Sequence, residues 1–407
     1  MRPFSYVVGI DEKLAQKKEV VDAGTPETKK EATTSTRINK KDLEDIYIAD
    51  GIVFNSVNKI VQTIMAAGWT YEFPNPKNEK FFTEFLETVG RVGGGHTWYE
   101  LVQNMYKYQC IYGESWNELV FSNKGDKIVD LDEIDPKTMD YQKTGSGEIE
   151  LDEYNNPVGY TQTIRGIKTD IPLEKIAHFS LYEVGEGWYG IGIVEPIYKT
   201  TMRKINQEDA ITNTSWRMGH PTYVAKLGDE NHEPTPKQID NVLEKLKDLT
   251  FKSQIAIPYY YDIDILQPKN PEKLQQQLDY YVDAQVAAMG IPKPYATGGG
   301  EDTNRATLNR QSRLFELTLK DIINQTSRQI ERQIFKPIAE TNGIKGIPKI
   351  IWGDVGVEEL NDKANRLASY IDKGIITASP ELRDYIKIIE ELPEGKDTPD
   401  ADTETER

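Results

Sequence analysis

Apolar residues recur every three or four positions from Asn39 to Gly68, which predicts two successive helices. Asp50 caps the second, whose buried face would be Ile52, Val53, Val57, Ile60, Val61 and Ile64, and Gly68 stops it. A third helix carries Phe81, Phe82, Phe85, Leu86 and Val89, and Gly93-Gly94-Gly95 separates it from a fourth over 98–112. There the period changes to two. Residues 114–121 and 127–131, joined at Asn123-Lys124-Gly125-Asp126, predict a hairpin, and shorter strands follow around 139–143, 158–165 and 176–181. Helices followed by hairpin-linked strands place this unit in the α+β class with antiparallel pairing.

Helical spacing returns after Gly192, with Pro196 in the first turn and Val194, Ile197, Tyr198, Met202, Ile205, Thr212 and Trp216 along one side. Gly219 and Pro221 end it. A small α/β module follows: strands at 221–226, 253–257 and 260–266 surround a helix opened by the capping box Thr235-Pro236-Lys237-Gln238. The next helix carries Leu274, Leu278, Tyr281, Val282, Gln285, Val286 and Met289, and Gly290 and Pro292 end it. The module is thus flanked by two helices, predicted to be an antiparallel pair that carries it at the far end. Beyond Gly298-Gly299-Gly300 the pattern from Thr303 to Asn342 stays helical for about 40 positions, twice the usual length, with Pro337 expected to bend its end. A strand at 348–352 and two helices, 357–373 and one from Pro380 capped by Ser379, complete the ordered part. Residues 1–37 and 393–407 lack apolar periodicity and are expected to be a flexible arm and an acidic tail.

A length of 407 residues allows two or three domains, and 38% hydrophobic against 28% charged residues points to a multi-module protein with much surface. The formal charge of −17 repels nucleic acid in bulk, so any DNA contact has to be local and weak. Cys110, the single cysteine, falls in the fourth predicted helix and is expected to be a buried, inert thiol. The first residues lack a signal-peptide core, and no window approaches the roughly 18 apolar residues that span a bilayer, so a soluble intracellular product without membrane contact is expected.

Few motifs point to catalysis. Gly185-x-Gly187-x-x-Gly190 lies between a strand and a helix, as in a dinucleotide-binding turn. Against that stand Glu186 in the cradle, bulky Trp188 and Tyr189, and antiparallel strands before it, all of which favour a plain strand-to-helix turn. No Gly-x-x-x-x-Gly-Lys-Ser/Thr loop occurs, and His96, His178, His220 and His232 have no metal-ligand spacing. Paired carboxylates such as Asp130 and Asp132 cannot be told from an acidic background. No cofactor, metal or enzymatic activity is expected. The long helix is basic, with Arg305, Arg310, Arg313, Lys320, Arg328, Arg332 and Lys336. Its cations are either a solvated or intersubunit face or phosphate contacts.

Several stretches, in order, resemble portal proteins of tailed bacteriophages and related archaeal viruses. Tyr112-Gly113-Glu114-Ser115-Trp116-Asn117-Glu118-Leu119-Val120 followed by Leu131-Asp132-Glu133-Ile134-Asp135-Pro136 is similar to the family's "GeayielV…L.plhP" pattern. Ile176-Ala177-His178-Phe179 and Tyr189-Gly190-Ile191-Gly192-Ile193-Val194-Glu195-Pro196 resemble its "I.H.r…G.spl.p" segment. Gly290-Ile291-Pro292 with Asn304-Arg305-Ala306-Thr307 resembles "fgVP..llg……n.e", and Gly374-Ile375-Ile376-Thr377 with Glu381-Leu382-Arg383 resembles "G.lt.nE.R". The chain departs from the family at Pro292-Lys293-Pro294-Tyr295, where Leu-Leu-Gly is usual.

The resemblance implies a multidomain α+β fold and a ring oligomer: arm 1–37, wing 38–192, stem helix 193–218, clip 219–269, second stem helix 270–291, tunnel loop 292–303, long wing helix and strand 304–353, crown 354–392 and tail 393–407. It implies a homo-dodecamer at a capsid vertex of the virion, assembled in the host cytoplasm. The ring would serve genome packaging, ejection and head-tail connection. Double-stranded DNA, a terminase large subunit, the major capsid protein and a head-tail adaptor would be its partners. Lys293, Tyr295, Thr297, Gly298, Gly299, Gly300, Thr303, Asn304 and Arg305 would then face DNA, and Lys237, Asp240, Glu244 and Lys247 would dock the motor or adaptor. Two other readings stay open at this point, a nucleotide-binding enzyme using the 185–190 turn and a capsid-associated protein without a channel.

Overall fold

Asn39 accepts a hydrogen bond from Lys41 N to open α1 (Lys40–Ala49), and Asp50 accepts from Ile52 N and Val53 N to open α2 (Gly51–Ala67). The computed structural model describes residues 37–90, 95–185, 188–219, 222–227, 234–247, 261–266, 271–299, 304–356 and 368–374. The expected arm before Arg37, the strand at 253–257, the helix from Pro380, the tail and most of helix 357–373 lie outside the described residues. After α2 come β1 (Trp69–Glu72), α3 (Pro76–Thr88) and α4 (Trp98–Tyr112), the last closed by a reciprocal Thr97–Glu100 capping box. Val53, Val57, Ile60 and Ile64 of α2 pack in one core with Leu101, Met105 and Tyr106 of α4.

The hairpin is β2 (Glu114–Phe121) with β3 (Ile128–Ile134), followed by a meander of β4 (Met139–Tyr141), β5 (Gly159–Ile164) and β6 (Ile167–Pro172), then β7 (Ile176–Ser180). Two antiparallel sheets result, ordered β3-β2-β7 and β4-β5-β6. Trp116, Ile134, Met139, Tyr141, Tyr160 and Ile176 form a second, smaller core shared by the two sheets. β6 was not foreseen because its residues 167–170 are all exposed, so the strand has no apolar face to set a period of two.

Next in the chain are α5 (Val194–Gly219), β8 (Thr222–Leu227), α6 (Pro236–Lys247), β9 (Tyr261–Leu266) and α7 (Pro271–Met289). α5 and α7 pack side by side, β8 pairs with β9, and Val194 and Met289 are both buried in the main body. A short helix α8 (Lys293–Thr297) leads to α9 (Arg305–Ile330). The long helix, expected to bend near Pro337, passes through a π-turn at Glu331–Phe335 into α10 (Lys336–Thr341). Pro337 has no N–H to give to the carbonyl of Gln333, and the wider turn lies immediately before it. β10 (Lys349–Trp352) closes the body by pairing with β1, Trp69 opposite Trp352, a partner that no local pattern announces.

Side chains of α9 and its π-turn hold the strands by their edges. Gln333 Oε1 accepts from His178 N at 2.8 Å, and Gln329 both accepts from Ser180 N at 2.8 Å and donates to Ser180 O at 2.7 Å. Two glutamines four residues apart thus satisfy the free edge of β7, which a fourth strand would otherwise pair. Glu331 Oε1 takes Ile350 N of β10 at 2.9 Å, and Ser327 Oγ takes Trp352 Nε1 at 2.7 Å.

Glu114, wholly buried at the start of β2, receives Arg37 Nη1 at 2.7 Å and lies 2.8 Å from Lys40 Nζ. Burial raises its pKa, but the neighbouring cations, Lys40 foremost, outweigh it and hold the carboxyl below its ordinary value. His178 stacks on Trp116 with ring centres 3.8 Å apart and shares a 2.9 Å hydrogen bond between Nδ1 and Tyr141 Oη. Burial pushes its imidazole down to about 4.

Folded His178 binds its proton less tightly than the unfolded chain does, so stability falls as pH drops from about 6.5 towards 4, by about 3 kcal/mol once complete. Glu114 acts in the same direction lower down, its contribution being lost as pH falls through its depressed folded value. Urea midpoints are therefore expected to decline between pH 7 and 4, and His178→Gln to remove the part above pH 4. A flat wild-type profile would contradict a buried neutral imidazole.

Candidate functional site

One carboxylate joins the helix pair to the body. Asp50 Oδ1 caps α2, while Oδ2 accepts from Lys204 Nζ of α5 at 2.9 Å and from Gln285 Nε2 of α7 at 3.3 Å. Gln285 Nε2 also donates to Thr201 Oγ1 of α5 at 2.8 Å. Asp50, Thr201, Lys204 and Gln285 are all buried. Burial lowers the Lys204 pKa, but the Asp50 contact overrides it and the ammonium is held above its ordinary value. Sequence reading did not single out this quartet. Its signal was Gln285, a polar residue in the apolar stripe of α7, where burial demands a partner.

The chain leaves α7 through Gly290, whose φ of 67° a side chain would strain, and runs through buried Ile291 and Pro292 into α8. The interval 292–303 was expected to be a loop, but its first part is this helical turn, closed by Gly298 at φ 73°. Asn55 Nδ2 of α2 donates to Tyr295 O at 3.0 Å and to Ala296 O at 2.7 Å. Tyr295 Oη and Ser312 Oγ of α9 are 2.9 Å apart, and Ala296 is buried. The turn is therefore fastened to both α2 and α9.

Lys293, Thr297, Gly298 and Gly299 stand exposed on this anchored turn, and Asn304, also exposed, caps α9 through Ala306 N at 3.1 Å. Lys293 Nζ lies 2.7 Å from Asp283 Oδ1, so its charge is largely balanced. Tyr295, expected with them, is half-buried, and its phenol is used in holding α9. Gly300, Thr303 and the Arg305 side chain lie outside the described residues. On α6, Lys237, Asp240 and Glu244 share one exposed face, and the Lys247 side chain lies outside the described residues.

The 185–190 turn has a packing role. A Cβ on Gly190 would come within 2.1 Å of Gly113 O, and one on Gly192 within 2.7 Å of Gly113 N, so these glycines let two backbone segments touch. The Gly190 carbonyl accepts from Arg37 Nη2 at 2.5 Å. That spends on the protein's own backbone the approach that a phosphate cradle would need. Cys110 is buried, its thiol pushed up to about 12 by burial. Among the described residues no group of side chains could hold a metal ion, and no helix is long and apolar enough to cross a membrane.

A family model for the portal protein of Mu bacteriophage matches residues 42–388. Among solved structures, the neck of an empty gene transfer agent particle computed with C6 symmetry is similar at a TM-score of 0.57 and 14% identity, over 88% of this chain and 95% of that one. The neck of the native particle computed with C12 symmetry gives 0.55 at 14% identity, over 87% and 94%. The virion of the native particle gives 0.54 at 14% identity, over 88% and 95%. At that identity the likeness is one of fold. No curated protein matches the chain.

Replacing Asp50 by alanine leaves the buried Lys204 ammonium with only the more exposed Glu208, 3.1 Å away, and two N–H groups of α2 uncapped. The expected cost is about 3–5 kcal/mol in denaturant titrations. The double variant Asp50→Ala/Lys204→Ala should lose less than the sum of the two single losses, because the two residues are coupled. Additive losses would show that the ion pair does not carry the junction.

Proposed function

The chain belongs to the family of the portal protein of Mu bacteriophage, and from that membership we propose that it forms a ring-shaped, non-enzymatic DNA channel at one capsid vertex. The wing is then the body built on α1–α4 and the two sheets, the stem is α5 with α7, and the clip is the module between them. The ring is a homo-dodecamer in the virion, assembled in the host cytoplasm. A terminase motor drives double-stranded DNA through it, a head-tail adaptor later docks to it, and the major capsid protein surrounds the wing. The exposed α6 face of Lys237, Asp240 and Glu244 is the proposed contact for motor or adaptor.

The observation that carries this reading is the anchored turn at the root of the stem. Its exposed end, Lys293, Thr297, Gly298 and Gly299, is small and polar, and its one described cation is paired with Asp283. Strong phosphate binding would stall a moving duplex, whereas a turn of low net charge in a chain of charge −17 leaves DNA free to slide. A nucleotide-binding enzyme is disfavoured by the backbone packing at Gly190.

Negative-stain images of the purified chain are expected to show closed rings with a central hole. A species that stays monomeric at every concentration overturns the channel, and shells that incorporate the protein without a closed ring would support a non-channel capsid component instead.

A further inference from the structure

The helix α9 is apolar on two sides. Phe315, Leu319 and Ile322 fill the core, while Leu314 and Leu317 on the opposite side are 60% and 59% exposed. A helix covered on one side only carries polar residues on the other, so a second apolar stripe marks a surface that something covers. Arg310 and Arg313, both exposed, adjoin the two leucines at helical spacing. Farther along, Lys320 pairs with Asp354 and Lys336 with Glu340. Among the described residues no ion pair reaches Arg310 or Arg313.

We propose that this stripe, Arg310, Arg313, Leu314 and Leu317, is a subunit interface, and that its occupant is the acidic aromatic face of α7, Asp279 with Tyr280, on a second copy of the chain. The assignment rests on the ring reading above and deepens it. Composition supports the pairing: Tyr280 is 67% exposed, an unusual position for so large a ring, and Asp279 beside it is exposed too. A tyrosine offers area to cover the leucines, and its aspartate neighbour offers the charge that the arginines lack. DNA fits poorly here, because phosphates would desolvate two leucines without giving them an apolar partner. In a chain of charge −17, a second copy presents more acid than base, 66 residues against 49.

The test compares the full-length protein with Leu314→Asp/Leu317→Asp and with Tyr280→Asp, using mass photometry across a concentration series and thermal unfolding as a check on folding. All three substituted side chains are exposed, so unfolding midpoints should stay near wild type. Each variant is expected to raise the concentration for half-assembly by at least about tenfold, the effect of losing one well-packed interface contact. Rings formed by either variant at wild-type concentrations overturn the assignment. So do wild-type-like rings that fail to retain DNA or to enter shells, which would give the stripe to those partners. A wild type that forms no ring brings down the channel reading itself, a result distinct from rings that survive the substitutions.

Discussion

The fold turns on the burial of Asp50. Its carboxylate opens α2, neutralises a buried lysine of α5 and fixes a glutamine of α7. A buried charge with three kinds of donor has little freedom to repack, because any shift of one helix leaves another donor unsatisfied in a dry interior. The α5–α7 pair thereby leaves the body in a set direction. The turn that follows α7 inherits the same frame through Asn55, which lies on the helix that Asp50 caps. Anchorage and presentation are thus carried by adjacent turns of one element.

A second constraint comes from the long helix. Gln329, Glu331 and Gln333 accept strand N–H groups that no other strand reaches, and Ser327 accepts the indole of Trp352. A helix serving as the edge partner of two sheets cannot tilt without breaking several hydrogen bonds in a row. The π-turn falls within this stretch, so the register of the glutamines against β7 and the bend before Pro337 are parts of one local solution.

Much of this was legible along the chain. Helix caps at Asp50 and Thr235, the hairpin after Gly113 and the helical run from Arg305 to Thr341 are local properties, and local propensity and periodicity report them. What was not legible is non-local. β1 is four residues long and pairs with a strand near the other end of the chain, β6 has no buried face, and α8 is a single turn created by Pro292, Pro294 and a left-handed Gly298. At the candidate site, the sequence singles out the turn but not its supports. Asn55, Ser312, Thr201 and Lys204 are ordinary polar residues in sequence and acquire their role only when distant helices meet. Tyr295 likewise acquires a role through its hydroxyl, 2.9 Å from Ser312 Oγ of α9.

The Asp50–Lys204 ion pair thus locks the α5–α7 pair to the body, and under the proposed function the small polar turn held at their junction faces moving DNA. The central claim is the radial position of that turn, and a cryo-electron microscopy map of the assembled ring tests it most directly. Gly298 and Gly299 should lie closer to the ring axis than any other described residue, with the β5–β6 hairpin far from it. A ring in which the 293–299 turn sits on the outer rim and the hairpin lines the hole would contradict the account.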